Sequence, residues 1–149
     1  MRTIKRDIVG AFLFSADGKV LLGHSKPGGT YQGMLIIPGG GIELNETLLE
    51  ALKREIFEEI GLDITHCSIR QLGEITNGES KKTLKETGEE VLVEMTFHDF
   101  EVKLSENADS VHLTFDDDFG NARWYEPAEL QNAPIGSNAK AVLQRLHFL

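Results

Sequence analysis

The sequence predicts an α+β fold, on three observations. Apolar residues alternate in several short runs, as half-buried strands require. One central segment repeats them at helical spacing, and a shorter helical pattern closes the chain. The 149 residues are about the size of one domain, and neither a repeat nor a linker divides 1–149.

Taken in order, Ile4 to Phe14 alternates as a strand, with Ile8, Gly10, Phe12 and Phe14 on one face. Ala16-Asp17-Gly18-Lys19 turns the chain, and Val20 to Leu22 begins the partner strand. Lys26 to Thr30 is a loop, and Leu35 to Ile37 a short buried strand that ends at Pro38-Gly39-Gly40-Gly41. Glu46 to Ile60 is the clearest helix, with Leu48, Leu49, Leu52, Ile56 and Ile60 at helical spacing, Asn45 as N-cap and Gly61 as C-cap. Ile64 to Ile75 is a strand, and the polar stretch Asn77 to Glu90 reads as a mobile hairpin loop. Val91 to Leu104 is a long strand, followed by a segment, Ser105 to Asn121, that holds Asp116, Asp117 and Asp118. Ala122 to Tyr125 is a last short strand, Glu126 to Leu130 a helical turn, and Ser137 to Leu146 a closing helix with Ser137 as N-cap. The strands are expected to pair mostly with their sequence neighbours.

Composition narrows the function. Hydrophobic residues at 40% and charged residues at 26% suit an ordinary globular protein. A net charge of −9 argues against a long nucleic acid as partner, which needs a basic footprint. It leaves room for a small anion if a divalent metal reverses the local sign. No run approaches the roughly 18 apolar residues of a membrane span. The lone Cys67 excludes an internal disulfide, and the N-terminal residues lack a signal-peptide pattern, so a cytoplasmic protein is expected.

The acidic residues are concentrated between Glu43 and Glu59. At about 100° per residue, Glu55, Glu58 and Glu59 share an arc that borders the apolar stripe of the central helix instead of lying opposite it. Like charges at i, i+4 repel, and the C-terminal half of a helix disfavours negative charge. A hard divalent cation with oxygen ligands would offset both. An E-x-x-E-E cluster alone is usually a solvated face, and three glycines alone a tight turn. Side by side, they bring backbone carbonyls and three carboxylates together. The glycines imply either unusual backbone angles or close approach to another group.

Residues 40–62 resemble the Nudix box, whose pattern is G-x5-E-x7-R-E-U-x-E-E-x-G-U with U aliphatic. Gly40, Glu46, Arg54, Glu55, Ile56, Glu58, Glu59, Gly61 and Leu62 match all nine specified positions. A looser resemblance extends over most of the chain, including Trp124-Tyr125-Glu126-Pro127. It implies an α/β/α sandwich around a mixed sheet, and Mg²⁺- or Mn²⁺-dependent hydrolysis of a nucleoside diphosphate linked to another group. By position, Glu55, Glu58 and Glu59 would be metal ligands, joined by the Gly39 carbonyl. Arg54 would orient a box glutamate, and Glu46 would support the loop and helix. The general base would be Glu55 or a residue outside the box. Asp118 lies near where MutT-type members place a further acidic ligand, with Asp116 and Asp117 as rivals and a solvated acidic loop as the plain alternative. Pro134 to Asn138 resembles the P-x-x-N stretch of MutT-like members, so Asn138 either contacts a purine base or belongs to the first turn of the closing helix. Arg123 and Lys26 are candidate phosphate contacts. Tyr31, Phe97 and Trp124 are base-stacking candidates or core residues. The implied partner is a small nucleotide, and the protein a monomer or homodimer. Within the family, a MutT-like enzyme on purine nucleoside triphosphates leads over an ADP-ribose or nucleotide-sugar pyrophosphatase. A non-catalytic nucleotide sensor and an isoprenoid diphosphate isomerase are further off: the first usually lacks box glutamates, and the second needs a cysteine in a context Cys67 lacks.

Overall fold

The most apolar stretch of the chain becomes the middle of a sheet. The computed structural model describes residues 1–25, 33–115 and 119–149. Strand β1 (Arg2–Phe14) pairs in parallel with β6 (Glu90–Lys103) along its whole length, from Arg2↔Val91 to Phe14↔Lys103. Strand β2 (Val20–His24) and the short β4 (Gly39–Gly41) flank β1 antiparallel on its other edge. With β3 (Leu35–Ile36), β5 (Ser68–Thr83) and β7 (Gly120–Tyr125), the described residues form a mixed sheet. Its order is β3-β2-β1-β6-β5, with β4 joined to β1 and β7 to β2. The pairing is thus less local than the sequence reading expected, because the central β1–β6 ladder joins the two ends of the fold.

Both faces of β1 are covered. Val9, Ala11 and Leu13 face helix α1 (Leu48–Ile60), in a core with Leu52, Ile56, Ile60, Ile64 and Phe100. Phe12 faces helix α2 (Ser137–Arg145), in a second core with Val20, Leu22, Tyr125, Leu130 and Leu143. The result is the α/β/α sandwich, an α+β fold. No helix among the described residues is long and apolar enough to cross a membrane.

Four local expectations change. Helix α1 is capped by Thr47, not Asn45: Thr47 Oγ1 accepts from Glu50 N at 3.1 Å and Glu50 Oε1 from Thr47 N at 3.0 Å, a capping box. Asn45 instead takes φ 67°, which asparagine tolerates, and Glu46 folds into the loop. Leu49, counted in the apolar stripe, is 41% exposed. The polar stretch 77–90 is not a loop. Strand β5 runs on to Thr83 and meets β6 through a turn closed by Leu84 N→Glu89 O at 2.8 Å. Composition misled there because a ladder satisfies the backbone whatever the side chains, and β1 supplies a third strand against Val91 and Val93. Finally, α2 is preceded by Gly136 as N-cap, with no side-chain capping bond, so Ser137 is its first residue.

Candidate active site

The glycine run lies where three neighbours leave no room for a side chain. A Cβ on Gly39 would strike the Val9 carbonyl oxygen and come within 2.8 Å of Gly10 Cα. One on Gly40 would enter the Glu55 carboxylate, and one on Gly41 the Arg6 guanidinium. None of the three is among the positive-φ residues, so of the two expectations for this run, close approach holds and unusual angles do not. The antiparallel pairs Val9↔Gly40 and Gly10↔Gly39 fix the run on β1.

Helix α1 lays two glutamates on it. Glu59 accepts a hydrogen bond from Gly39 N at 2.6 Å, and the Glu55 carboxylate occupies the space above Gly40. Being i and i+4, both follow from one helix face. Glu59 is 9% exposed. Glu58 turns outward, with its side chain 56% exposed against 15% for Glu55.

Arg54 ties loop to helix. Its Nε and Nη2 form a fork on Glu46 at 2.6 and 2.9 Å, and Nη2 also donates to the Gly41 carbonyl at 3.0 Å. Nη1 donates to Glu55 at 2.9 Å and to Glu58 at 3.2 Å. The guanidinium therefore offsets part of the crowding that the helix geometry had assigned to a metal alone. Its hydrogen bonds, helped by the Glu43 backbone, hold the Glu46 carboxyl down at about 2. Burial pushes the Glu55 carboxyl up against the pull of Arg54.

Among the described residues, no three Asp, Glu, His or Cys side chains are gathered as a ready ligand set. The donors at hand are carboxylates and peptide carbonyls, all hard oxygens, and this chemistry fits Mg²⁺ or Mn²⁺ better than a soft or imidazole-seeking ion. Cys67 is free and half-buried, and burial followed by the charges of Glu106 and Asp63 raises its thiol, so it is no activated nucleophile.

The remaining candidates are scattered. Arg123 is exposed, pairs with Glu129 at 2.9 Å, and lies 3.8 Å over the Tyr125 ring, so its partners come from its own end of the chain. Asn138 is exposed on the first turn of α2. Trp124 packs against the α1-side core, as a core residue would. Lys26, Tyr31 and Asp116 to Asp118 lie outside the described residues. Sequence reasoning missed Arg6, which covers Gly41, and Asp99, a carboxylate on the α2 face of β6 beside Gly10. The signal for Asp99 was there: aspartate is disfavoured inside an apolar strand.

Comparison with known proteins identifies the family and the fold. A family model described as the NUDIX domain matches residues 4–146. A nucleoside triphosphatase, NudI, of Klebsiella pneumoniae is 29% identical over 123 residues, covering 81% of this chain and 82% of that protein. An 8-oxo-dGTP diphosphatase of Proteus vulgaris is 56% identical over 32 residues, covering 22% of this chain and only 29% of that protein. Among solved structures, the E. coli dihydroneopterin triphosphate pyrophosphohydrolase superposes with a TM-score of 0.69 at 17% identity, over 93% of this chain and 92% of that one, a likeness of fold.

Proposed function

The chain belongs to the Nudix hydrolase family, and from that premise we propose that it hydrolyses a diphosphate bond in a nucleoside diphosphate linked to another group, with purine nucleoside triphosphates as the leading substrate class. The observation that carries this reading is the seating of Glu55 and Glu59 on the glycine run, with Arg54 clamped between loop and helix. The names of the relatives, a nucleoside triphosphatase and an 8-oxo-dGTP diphosphatase, support the substrate class.

Glu55, Glu58 and Glu59, with the Gly39 carbonyl, would hold Mg²⁺ or Mn²⁺. When bound, the metal neutralises the diphosphate and lowers the pKa of an attacking water. The chain's own residues do the rest. Water adds to phosphorus, the bridging P–O bond breaks, and the released proton passes to a carboxylate. Glu55 is the proposed base: its carboxylate lies over Gly40 and is held there by Arg54 Nη1 at 2.9 Å. Asp118 is the alternative from outside the box. Arg54 holds Glu55 and Glu58 in place and keeps Glu46 ionised as the strut of the loop. Arg123, Lys26 and Asn138 are proposed only as outer contacts to the nucleotide.

The test is a panel of nucleoside triphosphates, dinucleotides and nucleotide sugars with Mg²⁺, followed by release of phosphate and pyrophosphate. Glu58→Gln should lower turnover by at least 10²-fold with a nearly unchanged unfolding midpoint, because Glu58 is exposed and the amide oxygen can still accept from Arg54 Nη1. No turnover of any member, or full activity in that variant, would refute the reading.

A further inference from the structure

The glycine run has two faces, and they carry groups of opposite charge. Gly40 turns its open side toward α1, where the Glu55 carboxylate fills it. Gly41, one residue on, turns toward the α2 face, where the Arg6 guanidinium fills it. Arg6 belongs to β1, two residues before Ile8, the strand partner of Gly41. A Cβ on Gly41 would strike Arg6 Nη2 and come within 2.9 Å of its Cζ. The family pattern leaves position 41 free, and Gly41 is not among the positive-φ residues. What glycine provides at this position is room for the arginine.

That arginine has nothing to neutralise it. Among the described residues Arg6 makes no hydrogen bond and no ion pair. The acids next to it on β1 and beyond Gly41 are engaged elsewhere. Asp7 turns to the other face and meets His98 at 2.9 Å, and Glu43 reaches Arg54 at 3.7 Å. Its neighbours on the α2 face of β1 and β6 are Ile4, Ile8 and Met95. A chain with a net charge of −9 thus keeps this fork of donors unpaired beside the run that carries Glu55 and Glu59.

We propose that Arg6 grips a phosphate in the group linked to the nucleoside diphosphate, so that the enzyme takes substrates whose linked group is a phosphate in preference to those whose linked group is a neutral sugar. A guanidinium presents paired N–H donors that match two phosphate oxygens, and it stays charged at every working pH. The reach is right. Gly39, whose carbonyl is a proposed metal ligand, lies two strand residues from Gly41, about 7 Å. Among the described residues β4 pairs with β1 alone, so its two faces meet at its other edge. Consecutive linked phosphates can therefore run from the carboxylate side of the run to Arg6. The two sides divide the work: the carboxylates hold a phosphate only through a metal, and Arg6 holds one directly. This inference rests on the hydrolase reading above and narrows its substrate.

The wild type, Arg6→Gln and Arg6→Lys are compared on GTP, ATP and a nucleotide sugar with Mg²⁺, and binding of inorganic tripolyphosphate with Mg²⁺ is read by calorimetry. Arg6→Gln should cut kcat/KM for both triphosphates at least tenfold, through KM, and change that for the nucleotide sugar less than twofold. It should weaken tripolyphosphate at least tenfold with a nearly unchanged urea midpoint, since Arg6 is exposed. Arg6→Lys keeps the charge but loses the fork, and should fall between the other two proteins. A triphosphate kcat/KM or a tripolyphosphate affinity in Arg6→Gln within twofold of the wild type overturns the inference. So does an equal loss on triphosphates and nucleotide sugar, or a wild type that cleaves the nucleotide sugar in preference to triphosphates. Arg6-dependent binding of tripolyphosphate in a protein that hydrolyses nothing would sink the hydrolase reading and leave the phosphate site standing.

Discussion

Replacing Asp99 with asparagine should change how stability depends on pH. Burial pushes the Asp99 carboxyl from its ordinary 3.8 to about 6, with nearby His98 pulling the other way. The folded chain therefore holds this proton more tightly than the unfolded one. The native state has that advantage below about pH 4 and loses it as pH rises through about 6. A shift of roughly two pH units corresponds to about 3 kcal/mol, and about half of it falls between pH 5 and pH 8. Urea unfolding of both proteins at pH 5, 6.5 and 8 reads the effect directly. The stability of Asp99→Asn relative to the wild type should rise by about 1.5 kcal/mol over that range, or roughly 3–6 °C in Tm. Any fixed gain or loss from burying the amide cancels in the comparison across pH. So do the contributions of groups that both proteins share and that the Asp99 charge does not reach. Parallel stability curves from pH 5 to 8 would refute the claim that Asp99 ionises in a buried setting.

Two further substitutions probe the site's frame. Gly39→Ala sets a methyl against the β1 backbone and should cost about 1–3 kcal/mol in urea unfolding, whereas Gly40→Ala meets only the movable end of Glu55. The second variant should stay within about 0.5 kcal/mol of the wild type while losing at least tenfold in turnover, and equal stability losses in both would contradict this division. Thr47→Ala removes the capping oxygen of α1 and should lower stability by about 1 kcal/mol with kcat unchanged, as measured by urea midpoint and steady-state rate.

The parts of the site legible in the sequence were those carried by one helix. Glu55, Glu58 and Glu59 keep their mutual placement wherever the helix packs, so 3.6-residue geometry was enough to put them on one arc, whereas Arg54 came from the box resemblance. The cap was harder. Asn45 and Thr47 are both good cap residues, and what decides between them is Glu46, drawn into the loop by an arginine eight residues on. The 77–90 ribbon was hidden because its order comes from a partner strand and not from its own apolar content. Asp99 stood out only as an aspartate in an apolar strand, and its setting was hidden for a related reason. Its pocket needs a glycine from β1 and a bulge in β5, and nothing local to β6 announces either.

The parallel β1–β6 ladder also sets an order of events during synthesis. Each of its pairs joins residues 89 positions apart, so β1 leaves the ribosome long before its partner exists. Until Lys103 has emerged, the segment Val9 to Leu13 has no mate on the edge that β6 will occupy, although in the finished fold it is covered on both faces. Pairing at such separation is slow, and an uncovered apolar strand is a hazard for aggregation in the meantime. The charged residues Lys5, Arg6 and Asp7 that precede it are placed as gatekeepers would be, next to the segment that must wait.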